Sequence, residues 1–254
     1  MNIEGQAALV TGGGSGLGAQ TARAFARRGA RVTVLDVNGD AATAVAQEIG
    51  GVGVRCDITD TASVEAALAI ANERHGPARL LMNVAGVGTA KRIVGKDGRA
   101  APLEDFRRVV EINLIGTYNV TRLVAAQIAA LPPLADGERG VIVNTASVAA
   151  FDGQVGQQAY AASKGGVVSM TLPMARDLAQ HGIRGVTIAP GLFLTPLLKE
   201  LPEEVQASLA SSIPFPKRLG KPEEFAQLAT AIVENIALNG EVIRLDGALR
   251  MAPR

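Results

Sequence analysis

Short runs of β-branched and aliphatic residues alternate with longer stretches of helical period along the whole chain, and that rhythm restricts the fold more than any other feature. The apolar runs fall at residues 7–11, 31–36, 52–56, 78–84, 141–146, 183–189 and 241–245. Helical patterns lie between them at 16–28, 41–49, 61–75, 102–131, 157–180 and 222–234. In the first of these, Thr21, Ala22, Phe25 and Ala26 share one side. Strands that are apolar at nearly every position belong in a sheet covered on both faces. Helices between successive strands make that sheet parallel. The expectation is an α/β fold, a single domain over residues 1–254 built on a doubly wound parallel sheet with helices on both faces. No repeat, low-complexity segment or linker divides it. Residues 87–101 read as an irregular inserted loop. Residues 192–216 read as a mobile lid carrying Leu194, Leu197, Leu198, Leu201, Ile213 and Phe215, broken by Pro196, Pro202, Pro214 and Pro216. Pro173 lies within the 157–180 pattern, where the lost hydrogen bond predicts a bend.

Composition removes several function classes. The net charge is +1, which gives no reason to expect a nucleic acid or a membrane surface as partner. Cys56 is the one cysteine, so no intrachain disulfide is possible. His75 and His181 each precede a glycine, the pattern of a helix C-terminus. A Ser-His-Asp hydrolase or a His/Cys metal site therefore lacks its residues. No uncharged apolar run approaches the ~20 residues that span a bilayer. A strand begins at Ala7 with no leader-like run before it, so a soluble cytoplasmic protein is expected.

The first strand runs into Gly12-Gly13-Gly14-Ser15-Gly16-Leu17-Gly18 and then a helix. Phosphate binding needs backbone N–H groups at close range and a helix N-terminus aimed at the ligand, which glycines permit. The spacing from Gly12 is Gly-x-x-x-Gly-x-Gly; a literal G-x-G-x-x-A from Gly14 to Ala19 starts too late after the strand. Asp36 ends the second strand, where an acid accepts hydrogen bonds from the adenosine ribose hydroxyls. Its charge repels a 2′-phosphate, and neither Ser15 nor Val37 is basic, so NAD is expected as the cofactor rather than NADP. The alternative for Asp36 is a turn acid that caps the next helix.

Tyr160 and Lys164 are four apart on one face of a helix. A tyrosine moves a proton to or from a carbonyl oxygen once its pKa is lowered, and a neighbouring ammonium lowers it. Ser147 follows the fifth strand, at the carboxyl edge where ligands bind in such sheets, and its hydroxyl can hold a substrate oxygen.

These residues together resemble the short-chain dehydrogenase/reductase family, whose fold is a Rossmann-type sheet, and the match spans essentially the whole chain. The motif from Thr11 through Gly12, Gly16 and Gly18 is similar to the family's cofactor loop. The resemblance implies that Asp57, followed by Ile58, contacts adenine. It implies that Asn83-Val84-Ala85-Gly86 supports the sheet beside the cofactor. Asn113 matches the asparagine that holds a water in the proton relay, and Ser147, Tyr160 and Lys164 match the catalytic set. Pro190-Gly191-Leu192-Phe193-Leu194-Thr195 resembles the segment whose threonine meets the nicotinamide carboxamide, with Phe193 beside it. Residues 144–151, 153–157 and 239–248 resemble the type II 3-hydroxyacyl-CoA dehydrogenase branch more narrowly. That branch implies NAD, a short-chain acyl-CoA or a steroid alcohol as substrate, and a homotetramer. Its animal members are mitochondrial. Gln157 is then expected, with Ser147 and Tyr160, to face substrate, and the basic residues Lys91, Arg92, Lys96 and Arg99 of the insert to meet coenzyme A phosphates. The rival readings are a 3-oxoacyl-[acyl carrier protein] reductase, a steroid or other secondary-alcohol dehydrogenase, and a non-catalytic NADH-binding scaffold.

Overall fold

The computed structural model describes residues 1–253, apart from the side chain of Leu197; Arg254, the last residue of the expected domain, lies outside the described residues. The strands are β1 (Ala7–Thr11), β2 (Arg31–Asp36), β3 (Val52–Arg55), β4 (Leu80–Asn83), β5 (Gly140–Thr145), β6 (Ile183–Pro190) and β7 (Val242–Leu245). They form one seven-stranded sheet in the order β3-β2-β1-β4-β5-β6-β7. Every pairing is parallel. All seven coincide with the apolar runs read from the sequence, to within a residue or two at the ends.

Both faces of the sheet are covered. Val10, Val34, Met82, Val143 and Ile188 pack under α1 (Gly16–Arg27), α2 (Gly39–Glu48) and α9 (Pro222–Glu234), whose Phe25 and Phe225 are fully buried. Their chain neighbours Leu9, Leu35, Leu81 and Ile142 point the other way, onto Leu68 of α3 (Thr61–His75) and Val124 and Ile128 of α5 (Thr117–Ala129). Each such side chain contributes about 1.5–3 kcal/mol on full burial. This two-sided burial is why the strands lack polar alternation. The strand order reverses between β1 and β4, so the loops that follow these strands part and leave a crevice at their carboxyl ends.

Five segments depart from the sequence expectation. Residues 102–131 are not one α-helix: α4 (Leu103–Val110) passes through a π-helical stretch, Glu111–Gly116, into α5. A Cβ on Gly116 would stand 2.7 Å from Ile58 Cγ1, so the chain approaches the β3–α3 loop closely there. The lid contains two helices, α7 (Pro196–Lys199) and α8 (Glu203–Ser211). Pro196 takes the first position of α7 and Pro202 the cap position of α8, with Glu203 and Glu204 in its first turn. The prolines start helices here rather than break them. The insert forms a small hairpin closed by a Val94–Ala100 bridge and a turn through Gly98 at φ 75°. Asp97-Gly98 is a hairpin turn signal that the reading as irregular loop passed over. The helix after β2 begins at Gly39, and its cap is Asn38, whose side chain accepts from the Ala41 N–H. α6 (Gln158–Ala179) runs unbroken through Pro173.

Candidate active site

The glycine loop is shaped by close contacts with its surroundings. Gly12 has φ 62°, and a Cβ there would lie 2.7 Å from the backbone of Ala85. A Cβ on Gly18 would run into the carbonyl oxygen of Gly12. The motif is thus the one counted from Gly12, tight against the loop after β4. Gly16, at φ 51°, opens α1 toward Thr195 and Pro196. The cap residue Ser15 makes no side-chain bond to the helix, and no acid occupies the first turn. The N–H groups of that turn and the helix dipole therefore suit an anion.

Asp36 lies beside this loop. Its Oδ2 accepts from the Gly14 N–H at 2.9 Å and its Oδ1 from the Asn38 N–H at 3.0 Å. It caps no helix; it ties the glycine loop to the end of β2 and keeps its carboxylate partly exposed at the crevice. The sequence reading missed Arg55, which stands in register with Asp36 on β3 and whose Nε donates to the Val37 carbonyl at 3.3 Å. Farther along, Asp57 Oδ1 accepts from both the N–H and the hydroxyl of Thr59, and these bonds hold its carboxyl below the usual range. Ile58 is buried under Gly116.

The floor of the crevice is a buried polar ladder. Asn83 Nδ2 donates to Asn144 Oδ1 at 2.9 Å and to Thr121 Oγ1 at 3.1 Å. Thr11 Oγ1 donates to Asn83 Oδ1 at 3.4 Å and accepts from the N–H groups of Val84 and Ala85. A ladder of this kind joins β1, β4, β5 and α5 and holds the Asn83–Gly86 loop at the sheet edge. Thr121 and Asn144 were not singled out in the sequence; amides and hydroxyls at buried strand ends were the available signal.

On the other side of the crevice stand the residues expected to act. Ser147 is buried, and its Oγ accepts from the Ala149 N–H at 3.1 Å, which turns the chain into a short 3₁₀ segment. α6 places Tyr160 against Ser147, and Lys164 one turn on. The Lys164 ammonium is 5.9 Å from the centre of the Tyr160 ring and donates to the Thr145 carbonyl at 2.8 Å. Burial pushes the lysine down to about 8. It also raises the Tyr160 phenol, and the Ser147 hydrogen bond only partly opposes this. The expected lowering of the tyrosine by the lysine is therefore not found: desolvation of the phenol outweighs it, and the ammonium is turned to Thr145.

Asn113 is fully buried in the π-helical stretch. Its Oδ1 accepts from the Val87 N–H at 2.8 Å, and its Nδ2 donates to the Val87 carbonyl at 2.9 Å and to Ser163 Oγ at 3.0 Å. A Cβ on Gly86 would stand 3.0 Å from Asn113 Oδ1 and 3.4 Å from Lys164 Nζ, so the three meet. Gln157 caps α6, and its Oε1 accepts from the Gln154 N–H, a bond within the loop rather than toward the crevice. Pro190 ends β6, Gly191 packs on Asp246, and Phe193 stacks edge-on against Phe225, which brings Thr195 to the mouth of the glycine loop. In the lid, the side chain of Leu197 lies outside the described residues.

These residues fit a dinucleotide. The glycine cradle, the open start of α1 and the buried, unpartnered Thr145 hydroxyl are places where a ligand's polar groups would be met. No helix among the described residues is long and apolar enough to cross a membrane.

The family model for short chain dehydrogenases matches residues 6–206. The 3-hydroxyacyl-CoA dehydrogenase type-2 of Drosophila melanogaster is 55% identical, over 99% of this chain and 100% of its own. The protein of that name from Homo sapiens is 52% identical, over 99% of this chain and 98% of its own. The crystal structure of 3-hydroxyacyl-CoA dehydrogenase type-2 from Mycobacterium avium superposes with a TM-score of 0.94 at 45% identity, covering 98% of each chain. With this fold, this crevice and these relatives, the chain belongs to the short-chain dehydrogenase family.

Proposed function

We propose that the chain is an NAD-dependent 3-hydroxyacyl-CoA dehydrogenase that interconverts a 3-hydroxyacyl thioester and its 3-oxo form. The observation that carries this reading is full-length similarity to enzymes of that name, in a chain whose Ser147, Tyr160 and Lys164 meet at one sheet edge. The nicotinamide cofactor, when bound, accepts or returns the hydride. Ser147 Oγ holds the substrate oxygen and stabilises charge developing on it. Tyr160 takes the hydroxyl proton in oxidation and returns it in reduction. Lys164, an amine already shifted toward neutral pH, exchanges a proton with the phenol and binds the nicotinamide ribose. Asn113 holds the Val87 segment beside Lys164 and supports the water chain that carries the proton onward. Asp36 selects NAD by accepting from the ribose hydroxyls, and Asp57 with Ile58 borders the adenine.

The insert meets the coenzyme A end. Lys91 is paired with Asp105 at 2.5 Å and Arg99 with Asp97 at 3.9 Å, so the exposed Arg92 and Lys96 are the cations left for phosphates. Leu103, Phe106, Ile115 and Tyr118 are exposed along the α4–α5 run, which supports burial of that surface in a homotetramer. Following NADH loss with acetoacetyl-CoA, beside NADPH and an acyl-carrier-protein thioester, tests the reading. Fast, NADH-selective reduction of the CoA thioester is expected. Turnover of only the carrier-protein thioester, or of only a steroid ketone, would replace the substrate assignment. Sedimentation velocity tests the tetramer.

A further inference from the structure

The loop of residues 151–157 joins the Ser147 turn to the start of α6, so it borders whatever rests on the Ser147 and Tyr160 hydroxyls. Its local ties are few: the Phe151 and Asp152 N–H groups donate to the Val148 carbonyl just before it, the Gln157 N–H to the Gln154 carbonyl, and the Gln154 N–H to Gln157 Oε1. Its remaining ties come from the insert, where the Lys91 N–H donates to the Gly156 carbonyl at 2.7 Å, and from the far end of the chain. Arg244 on β7 grips Asp152 with both terminal nitrogens, Nη2 at 2.5 Å and Nη1 at 3.3 Å. The same guanidinium lies 5.1 Å over the centre of the Phe151 ring. It also donates from Nε to Asp246 Oδ2 at 2.8 Å and from Nη2 to the Leu249 carbonyl at 2.9 Å. Past that point, Gln154 Nε2 donates to the Ala252 carbonyl and the Val155 N–H to the Pro253 carbonyl, each at 3.0 Å.

One guanidinium thus holds three pieces of chain: the substrate-side loop, the Asp246 turn and the segment that follows it. An isolated surface ion pair would contribute little. This one is two-pronged and networked, and the Arg244 and Asp152 side chains are only 20% and 17% exposed. A planar fork can serve these directions at once, which a lysine cannot. The effect reaches the reacting groups along a continuous path. Ala252 holds Gln154, Gln154 holds Gln157, and the Gln157 carbonyl accepts the Ala161 N–H at 2.7 Å, in the turn that carries Tyr160.

We propose that Arg244, with Asp152 and residues 246–253, is a positioning device that fixes the 151–157 loop and so limits the length of acyl chain accepted beside Ser147 and Tyr160. It rests on the 3-hydroxyacyl thioester reading. A loop clamped from behind cannot yield to a longer chain, and a loosened one can.

The test compares Arg244→Lys and Asp152→Asn with the parent protein, using acetoacetyl-CoA and 3-oxodecanoyl-CoA with NADH. The KM for the short thioester should rise by about fivefold or more, and the long-to-short ratio of kcat/KM should rise by about the same factor, with kcat and NADH affinity within about twofold. Folded variants that keep the parent's KM and ratio would overturn the proposal, as would kcat and NADH affinity falling in step with KM. Asp152→Glu, which keeps the charge, should recover most of the parent behaviour. If Arg244→Lys does not fold, Gln154→Ala removes only the Ala252 tie and should shift the ratio the same way. Hydrogen exchange of residues 151–157 gives a readout without substrate: faster exchange in the variants supports the clamp, and unchanged exchange overturns it. Loss of the thioester reading alone would show as no turnover of either CoA substrate by the parent, with the exchange difference intact.

Discussion

The ammonium of Lys164 donates to the main-chain carbonyl of Thr145 at 2.8 Å, which ties the middle of α6 to the carboxyl end of β5. α6 sets Lys164 one helical turn from Tyr160, and this bond anchors it at Thr145, two residues of chain before Ser147, so a helix and a strand deliver the three groups to one place. It is also the one hydrogen bond this buried amine makes among the described residues. Stability should record that.

Burial holds Lys164 at about 8, below its ordinary 10.5. The native state therefore binds fewer protons than the unfolded chain between these values. Unfolding free energy should gain with pH across that window, and the full penalty should be felt below it. The contribution is about 3 kcal/mol at 1.36 kcal/mol per unit. Urea unfolding of the parent and of Lys164→Met, from pH 7 to 10, checks this. The parent's disadvantage should be largest at pH 7 and should shrink as pH rises; a difference constant in pH would refute it.

Replacing Tyr160 by Phe removes the hydroxyl proposed to carry the proton and keeps the ring. Turnover should fall by about 10²–10⁴. NADH binding, measured by fluorescence titration, should change little. Substantial turnover in Tyr160→Phe would end the assignment of Tyr160.

Asp36→Ser removes the carboxylate that repels a 2′-phosphate, while Arg55 remains beside Val37. NADH affinity should drop by about tenfold to a hundredfold, since a hydrogen bond to a charged group contributes ~1.5–3 kcal/mol. NADPH should become a usable reductant. Kinetics with both cofactors decide it; an unchanged preference would place cofactor choice elsewhere.

Asn113→Ala leaves the N–H and carbonyl of Val87 without their partner. Each unmet buried group costs about 1–3 kcal/mol, so a fall in Tm of several degrees is expected together with slower turnover. Calorimetry beside steady-state kinetics separates the two. A variant as stable as the parent would mean that water replaces the amide.

Reversing Arg92 and Lys96 to Glu should raise KM for a CoA thioester and should leave KM for a small ketone unchanged. Equal effects on both substrates would sink the phosphate role of the insert.

Much of this was legible in the residues because it is written in local pattern. Strands apolar at nearly every position, such as 7–11, and the Gly12–Gly18 turn determine a parallel sheet with a ligand edge, since burial on both faces and absent Cβ atoms leave few alternatives. Tyr160 and Lys164 share a face by helical period alone. Other features depend on contacts between distant residues. Asn113 sits in a π-helical stretch, held at Val87 and close to Ile58 across the Gly116 contact, and no periodicity in 102–131 reveals it. The pKa values of Tyr160 and Lys164 follow from desolvation, which exists only once α6 lies on β5 and β6. The Arg244 clamp joins residues 92 apart in the chain. Local propensity and period are properties of neighbours in sequence, whereas burial, electrostatics and long-range hydrogen bonds arise only when the chain has closed on itself.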